Sequence, residues 1–267
     1  MKFIKLILII ISCTYLAVIA LIYFDQRGML YHPHKSAHDL AYYNIDNAIE
    51  ITLITKDNVR LQAWFRRPDA NQEMIVFLHG NAGNLENRVD KLKQLTEMGY
   101  GFIIPAWRGF GKSEGSPTKE GLYLDAEAAI DYIKAKDYKL SQTIMIGESL
   151  GTGIATEMAL KYKFKGLFLI TPYTSIADRA AELYPFMFAK YLAKDNFKVL
   201  DNIAKIDQPL FMIHGTKDVV VPYEHSERIF VQAKEPKKLI IYPGIGHNNY
   251  DIKEVFAQMQ KFFSQFH

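Results

Sequence analysis

The stretch MIGESLGTG, residues 145–153, closes an apolar run with a serine set between two glycines and leads straight into helix-forming sequence. Two readings compete for Ser149. It is a nucleophile held on a sharp strand-to-helix turn, or it is a small polar residue capping a helix N-terminus. The glycines favour the first. A strand that turns abruptly into a helix crowds the positions two before and two after the turn, where Gly147 and Gly151 stand. A helix opening at Ser149 also aims unsatisfied N–H groups and a partial positive charge at any anion formed beside it.

The surroundings supply the strand and its neighbours. IEITLIT (49–55) and VRLQAWFR (59–66), joined by KDN, read as an antiparallel hairpin. MIVFLH (74–79), YGFIIP (100–105), TIMIGE (143–148), GLFLIT (166–171), PLFMIHG (209–215) and KLIIYPG (238–244) are continuous apolar runs, as strands buried on both faces must be. Amphipathic helical periods separate them. The pattern predicts an α/β fold with a mainly parallel sheet flanked by helices, an N-terminal hairpin and a short helical cap.

In such sheets the ligand sits at the carboxyl ends of the strands, so the candidates lie in the loops HGNAGN, WRGFGKSEG, GESLG, GTKD and GIGH. A serine hydroxyl needs a base, and histidine suits the task. His32, His34 and His38 lie before the sheet, His267 ends the chain, and His225 falls in a helical period. His79 and His214 precede glycines at strand ends and read as structural. His247, in the glycine-flanked PGIGHNN after the last strand, is free to reach across the sheet. Its imidazole needs a carboxylate to fix the tautomer; Asp218 in HGTKDVVVP is the first choice and Asp178 the fallback. For the developing oxyanion the Leu150 N–H is one donor, and the Asn81 N–H is the second, with Gly80 permitting close approach. Tyr184, Phe186, Phe188 and Tyr191 are candidates for an acyl pocket, although aromatics at helical spacing also serve as packing. The chemistry requires neither metal nor cofactor.

Before the hairpin, Leu6–Phe24 runs without a charge, long enough to span a bilayer and longer than the core of a cleaved signal. Residues 1–24 are therefore expected as a retained transmembrane helix, 25–47 as a polar connector, and 48–267 as the catalytic domain with a cap at about 173–205. Lys2 and Lys5 ahead of the run place the domain on the non-cytoplasmic side. IISC, ending at Cys13, has the look of a lipobox, but the apolar sequence after the cysteine favours an anchor. With 32 basic and 29 acidic side chains interspersed, net +3, the chain carries no nucleic-acid footprint. The histidines of the connector lack acidic or sulfur partners at metal-ligand spacing.

LHGNAGN, WRGFGKSEG, GLYLDAEAAIDYI, IGESLGTG, HGTKDVVVP and GIGHNN together resemble the α/β-hydrolase superfamily, and within it the membrane-anchored serine hydrolases of the bud-emergence-related group. The resemblance covers the chain from the hairpin onward. It implies Ser149 as nucleophile, Asp218 as acid, His247 as base, Asn81 and Leu150 as oxyanion donors, and an N-terminal anchor. One position departs: the family carries an acid two residues before the arginine of its RG-x-GKSEG string, where Ala106 stands, which implies a lost pairing near Arg108. The reading is a serine hydrolase of acyl esters with a small or lipid-like substrate. The alternatives are a peptidase or thioesterase on the same fold, and a membrane-tethered scaffold without activity.

Overall fold

A run in which every residue is apolar is stable as a strand only where both faces of its sheet are covered. The computed structural model describes residues 2–266, and in it each of these runs is a strand of one eight-stranded sheet. The strands are β1 (Ala48–Ile54), β2 (Arg60–Arg66), β3 (Met74–Leu78), β4 (Gly101–Pro105), β5 (Thr143–Glu148), β6 (Gly166–Ile170), β7 (Leu210–Gly215) and β8 (Lys237–Tyr242). Their order across the sheet is β8-β7-β6-β5-β3-β4-β2-β1. β2 runs antiparallel to β1 and β4, and the remaining pairs are parallel. Every residue of β3 to β7 is buried. Each fully buried Ile, Leu or Phe there contributes on the order of 1.5–3 kcal/mol, so the centre of the sheet is the rigid part of the molecule.

The chain leaves β3 toward β4 on one side and returns to β5 on the other. The crevice between the ends of β3 and β5 is therefore the switch point of the topology, where open α/β sheets hold their ligands. Residues 79–84 follow β3 and Ser149 follows β5, so the loop containing Asn81 faces Ser149 for topological reasons.

The helices are α1 (Lys2–Leu30), α2 (Val89–Glu97), α3 (Lys119–Lys134), α4 (Leu150–Lys161), α5 (Ile176–Leu183), α6 (Ala189–Leu192), α7 (Val199–Ile203), α8 (Glu224–Gln232) and α9 (Ile252–Phe263). α5 to α7 form the cap between β6 and β7. α1 is long and apolar enough to cross a membrane, and none of its residues is buried. It continues through Asp25, Gln26 and Arg27 to Leu30, past the end of the apolar run at Phe24. These polar residues stay helical because distant partners hold them. Arg27 pairs with the buried Asp195 at 2.9 Å, Gln26 Nε2 donates to Leu192 O at 3.3 Å, and Gln26 Oε1 accepts from Lys194 N at 2.7 Å.

The segment after α1 is more than a tether. His32 and Pro33 pair in parallel with Ala82 and Gly83, and His34 N donates to Gly83 O at 3.1 Å. Asn81 Nδ2 donates to Leu30 O at 2.9 Å, and Asn84 Nδ2 to Lys35 O at 3.0 Å. The loop after β3 is thus stitched along its length to the chain that leaves α1.

The pairing missing at Ala106 is supplied from elsewhere. Arg108 donates to Asp57 at 2.7 and 3.0 Å and to the fully buried Asp125 at 2.9 Å. The Arg108 N–H adds a bond to Asp125 at 2.8 Å. Two carboxylates, from the turn between β1 and β2 and from α3, take the place of the acid absent at 106.

Candidate active site

Ser149 has φ 51° and ψ −115°, a conformation that costs a residue with a side chain on the order of 1–3 kcal/mol and persists only where its surroundings enforce it. β5 and α4 enforce it from both sides. A Cβ at Gly151 would stand 2.0 Å from Leu78 O, and one at Gly147 would stand 2.7 Å from Gly151 O. The two glycines are what let the turn close. The Ser149 hydroxyl makes no cap bond to α4, which removes the helix-cap reading of the motif. It meets His247 instead, with Ser149 Oγ 3.0 Å from His247 Nε2.

His247 Nδ1 lies 2.6 Å from Asp218 Oδ2. With a carboxylate at Nδ1, the imidazole carries its proton there and turns Nε2, as acceptor, toward the serine hydroxyl. Asp218 is itself held on both oxygens. Oδ1 accepts from the Val220 and Val221 N–H groups at 2.8 Å each, and Oδ2 accepts from His214 Nε2 at 3.0 Å as well as from His247. Burial pushes the Asp218 carboxyl up, but the bonds from His214, His247 and the Val221 N–H outweigh it and hold the group well below the usual carboxylate range. His214 is fixed in turn. Its Nε2 faces two acceptors, Asp218 and Val221 O, while Nδ1 lies 2.6 Å from Ser226 Oγ, so Nε2 carries the proton and Nδ1 accepts from the hydroxyl.

The donors expected for an anion flank the same point. Leu150 is the first residue of α4, so its N–H precedes the helix's own bonds. The Asn81 N–H finds no backbone acceptor among the described residues. A Cβ at Gly80 would come within 3.4 Å of Ser149 Cβ, which shows how closely this loop approaches the hydroxyl. His79 is structural: its Nδ1–H donates to Gly80 O at 2.8 Å and its Nε2 accepts from Trp107 N at 3.3 Å. Burial, reinforced by the charge of Arg88, pushes it down to about 3, so it stays neutral.

Ser149, His247 and Asn81 line one cavity of about 470 Å³, together with His34, Arg88, Lys91 and Glu148. Glu148 is buried beside Ser149 and bonded to Lys91 Nζ at 3.0 Å, with Arg88 Nε at 3.6 Å. Burial raises its carboxyl, but Lys91 and Arg88 prevail and hold it at about 2. The pair anchors α2 beneath the loop after β3. His34, Arg88 and Lys91 carried no signal for this cavity in the sequence, since each reaches it through contacts between separate elements, whereas Glu148 stands next to Ser149 in GESLG.

Two expectations are not brought to this point. Asp178 sits at the start of α5, bonded to Thr174 Oγ1 at 2.9 Å and to Ser175 through its N–H. Tyr184, Phe186, Phe188 and Tyr191 do not line the Ser149 cavity. They stand on the outer part of the cap, exposed, and Tyr184 faces a second cavity shared with α1. None of the four packs against the hydrophobic core.

A profile described as alpha/beta hydrolase fold matches residues 73–203. The uncharacterized protein YfhR of Salmonella typhi is 30% identical over 269 residues, covering 92% of this chain and 87% of that protein. The alpha/beta hydrolase domain-containing protein WAV2 of Arabidopsis thaliana is 30% identical over 203 residues, 69% of this chain and 66% of that protein. Among solved structures, the Pyrococcus furiosus esterase Pf2001 superposes with a TM-score of 0.70 at 19% identity, covering 89% of this chain and 99% of its own. Est1E of Butyrivibrio proteoclasticus, solved with ferulic acid, gives 0.67 at 22% identity, with 80% and 98% covered. These last two are likenesses of fold.

Proposed function

The chain belongs to the alpha/beta hydrolase fold family, and from that premise we propose that it is a membrane-anchored serine esterase. The observation that carries the reading is the 3.0 Å contact between the Ser149 hydroxyl and His247 Nε2, on an imidazole whose other nitrogen faces Asp218. In the proposed reaction Ser149 Oγ attacks the ester carbonyl while His247 Nε2 takes its proton. The imidazolium is stabilised by Asp218, and the tetrahedral oxyanion is received by the Leu150 and Asn81 N–H groups. His247 then protonates the departing alcohol, leaving the acyl group on Ser149. Water, deprotonated by the same imidazole, releases the acid and restores the serine.

The strained backbone at Ser149 keeps the hydroxyl projecting from the turn in every step, so no rearrangement is needed to reach the carbonyl. The anchor is α1, and the lysines ahead of its apolar run support a catalytic domain outside the cytoplasm. A panel of p-nitrophenyl esters, an acyl-CoA and an aminoacyl anilide tests the reaction class on the full chain in detergent. The expected result is highest kcat/KM on the esters. Preference for the anilide or the thioester assigns the site to a peptidase or thioesterase, and activity on none of them supports the scaffold.

A further inference from the structure

A second cavity, of about 200 Å³, lies between α1 and the cap. Ile22 and Met29 of α1 face Ala180, Leu183, Met187 and Leu192 of the cap across it. The two walls differ from an ordinary helix packing in their depth along α1. The Tyr15 hydroxyl donates to Phe186 O, and Tyr15 stands midway along the apolar run Leu6–Phe24. At 1.5 Å per residue, Tyr15 is about 13 Å along the helix from Phe24. Where the apolar run spans a bilayer, the cap turn around Phe186 is therefore well inside the leaflet, below the level of Asp25.

The composition of the cap agrees with that depth. Phe186 is 79% exposed, Tyr191 82%, Phe188 59% and Leu183 54%, an apolar surface that water penalises and hydrocarbon does not. Apart from the Tyr15 bond, the polar contacts with the cap gather at the opposite end of the cavity. Arg27 and Tyr31 both bond Asp195, and Lys194 Nζ stands over the Tyr23 ring at 4.1 Å. The cleft is thus polar at the level of the headgroups and apolar below it. It also adjoins the catalytic cavity: Leu30 lines the cleft and its carbonyl accepts from Asn81, which lines the cavity of Ser149.

We propose that this cleft takes an acyl chain of a membrane lipid ester, so that substrate enters sideways from the leaflet that borders the domain rather than from water. The substrate role rests on the esterase reading above; the binding of a lipid chain does not. Tyr184, Phe186, Phe188 and Tyr191 then serve as the part of the cap that dips into the bilayer.

The test uses the full chain in vesicles of dioleoylphosphatidylcholine doped with a phosphatidylcholine carrying a mid-chain diazirine, irradiated and mapped by mass spectrometry. Adducts are expected on the cap between residues 180 and 192 and on the facing side of α1, and Ala180→Trp or Met187→Trp, which fill the cleft, should reduce the cap adducts. The same variants are expected to lower kcat/KM on p-nitrophenyl palmitate by about tenfold or more, at least the scale of one methylene lost from a pocket, while p-nitrophenyl acetate changes little. Adducts confined to the exposed face of α1 overturn the proposal, even where acetate is hydrolysed normally. Cap adducts in a protein that hydrolyses neither ester leave the lipid cleft standing and remove the esterase reading instead.

Discussion

Replacing Ser149 with alanine is expected to lower kcat/KM on a short p-nitrophenyl ester by roughly 10⁴- to 10⁶-fold, leaving the small residual rate that bound substrate and oxyanion donors supply by themselves. Stability should change little. The hydroxyl contacts His247 and caps nothing, and alanine meets the same backbone demand that serine already meets at φ 51°. The structural hold at this residue is through its main chain, with Ser149 N donating to Ile170 O at 2.9 Å, and that bond survives the substitution. A serine acting as a helix cap behaves in the opposite way, losing about 0.5–2 kcal/mol of stability and no activity. Steady-state kinetics beside a thermal melt on the same preparation separates the two.

Asp218→Asn is the second large effect, a loss of about 10⁴-fold in kcat/KM. The carboxylate accepts four hydrogen bonds, from the Val220 and Val221 N–H groups, His214 and His247. An asparagine presents an NH2 to one pair of these donors whichever way it turns. Turned toward the histidines, it drives the His247 proton to Nε2, where it opposes the Ser149 hydroxyl. Turned the other way, it breaks the loop 218–221 that positions the residue. The pH dependence of the wild-type protein follows from the sign of the Asp218 shift. Its folded value lies below the unfolded one, so its contribution to stability is complete above the ordinary aspartate range and is lost only as pH falls through the lower folded value. From neutral pH down to about 5 the melting temperature therefore owes no change to Asp218. In Asp218→Asn that stabilisation is absent at every pH, and the difference in melting temperature between the two proteins is expected to shrink only in strong acid.

The sheet was legible because a doubly covered strand has no choice but to be apolar throughout, and the six parallel runs lie within two residues of their observed ends. The convergence of Ser149, His247 and Asp218 was legible for a related reason. In a parallel sheet every strand delivers its next residue to the same rim, so a serine, an acid and an imidazole closely following three strands are brought to one edge. What the sequence concealed depends on contacts between distant segments. α1 runs on to Leu30 because Asp195 and Leu192 O satisfy Arg27 and Gln26. The connector pairs with Ala82 and Gly83 through main-chain bonds that carry no side-chain signature. Arg108 finds Asp57 and Asp125, neither of them near it in the chain. His214, which sequence alone marks as a buried imidazole, proves to be a second donor to the acid that faces His247.

The most direct test of Ser149 as an activated nucleophile is the mass of the protein after exposure to a fluorophosphonate, followed by mapping of the modified peptide. One adduct is expected, on Ser149, formed by the wild-type chain and absent from Ser149→Ala. A wild-type protein that stays unmodified, or one whose adduct lies elsewhere and persists in Ser149→Ala, contradicts it.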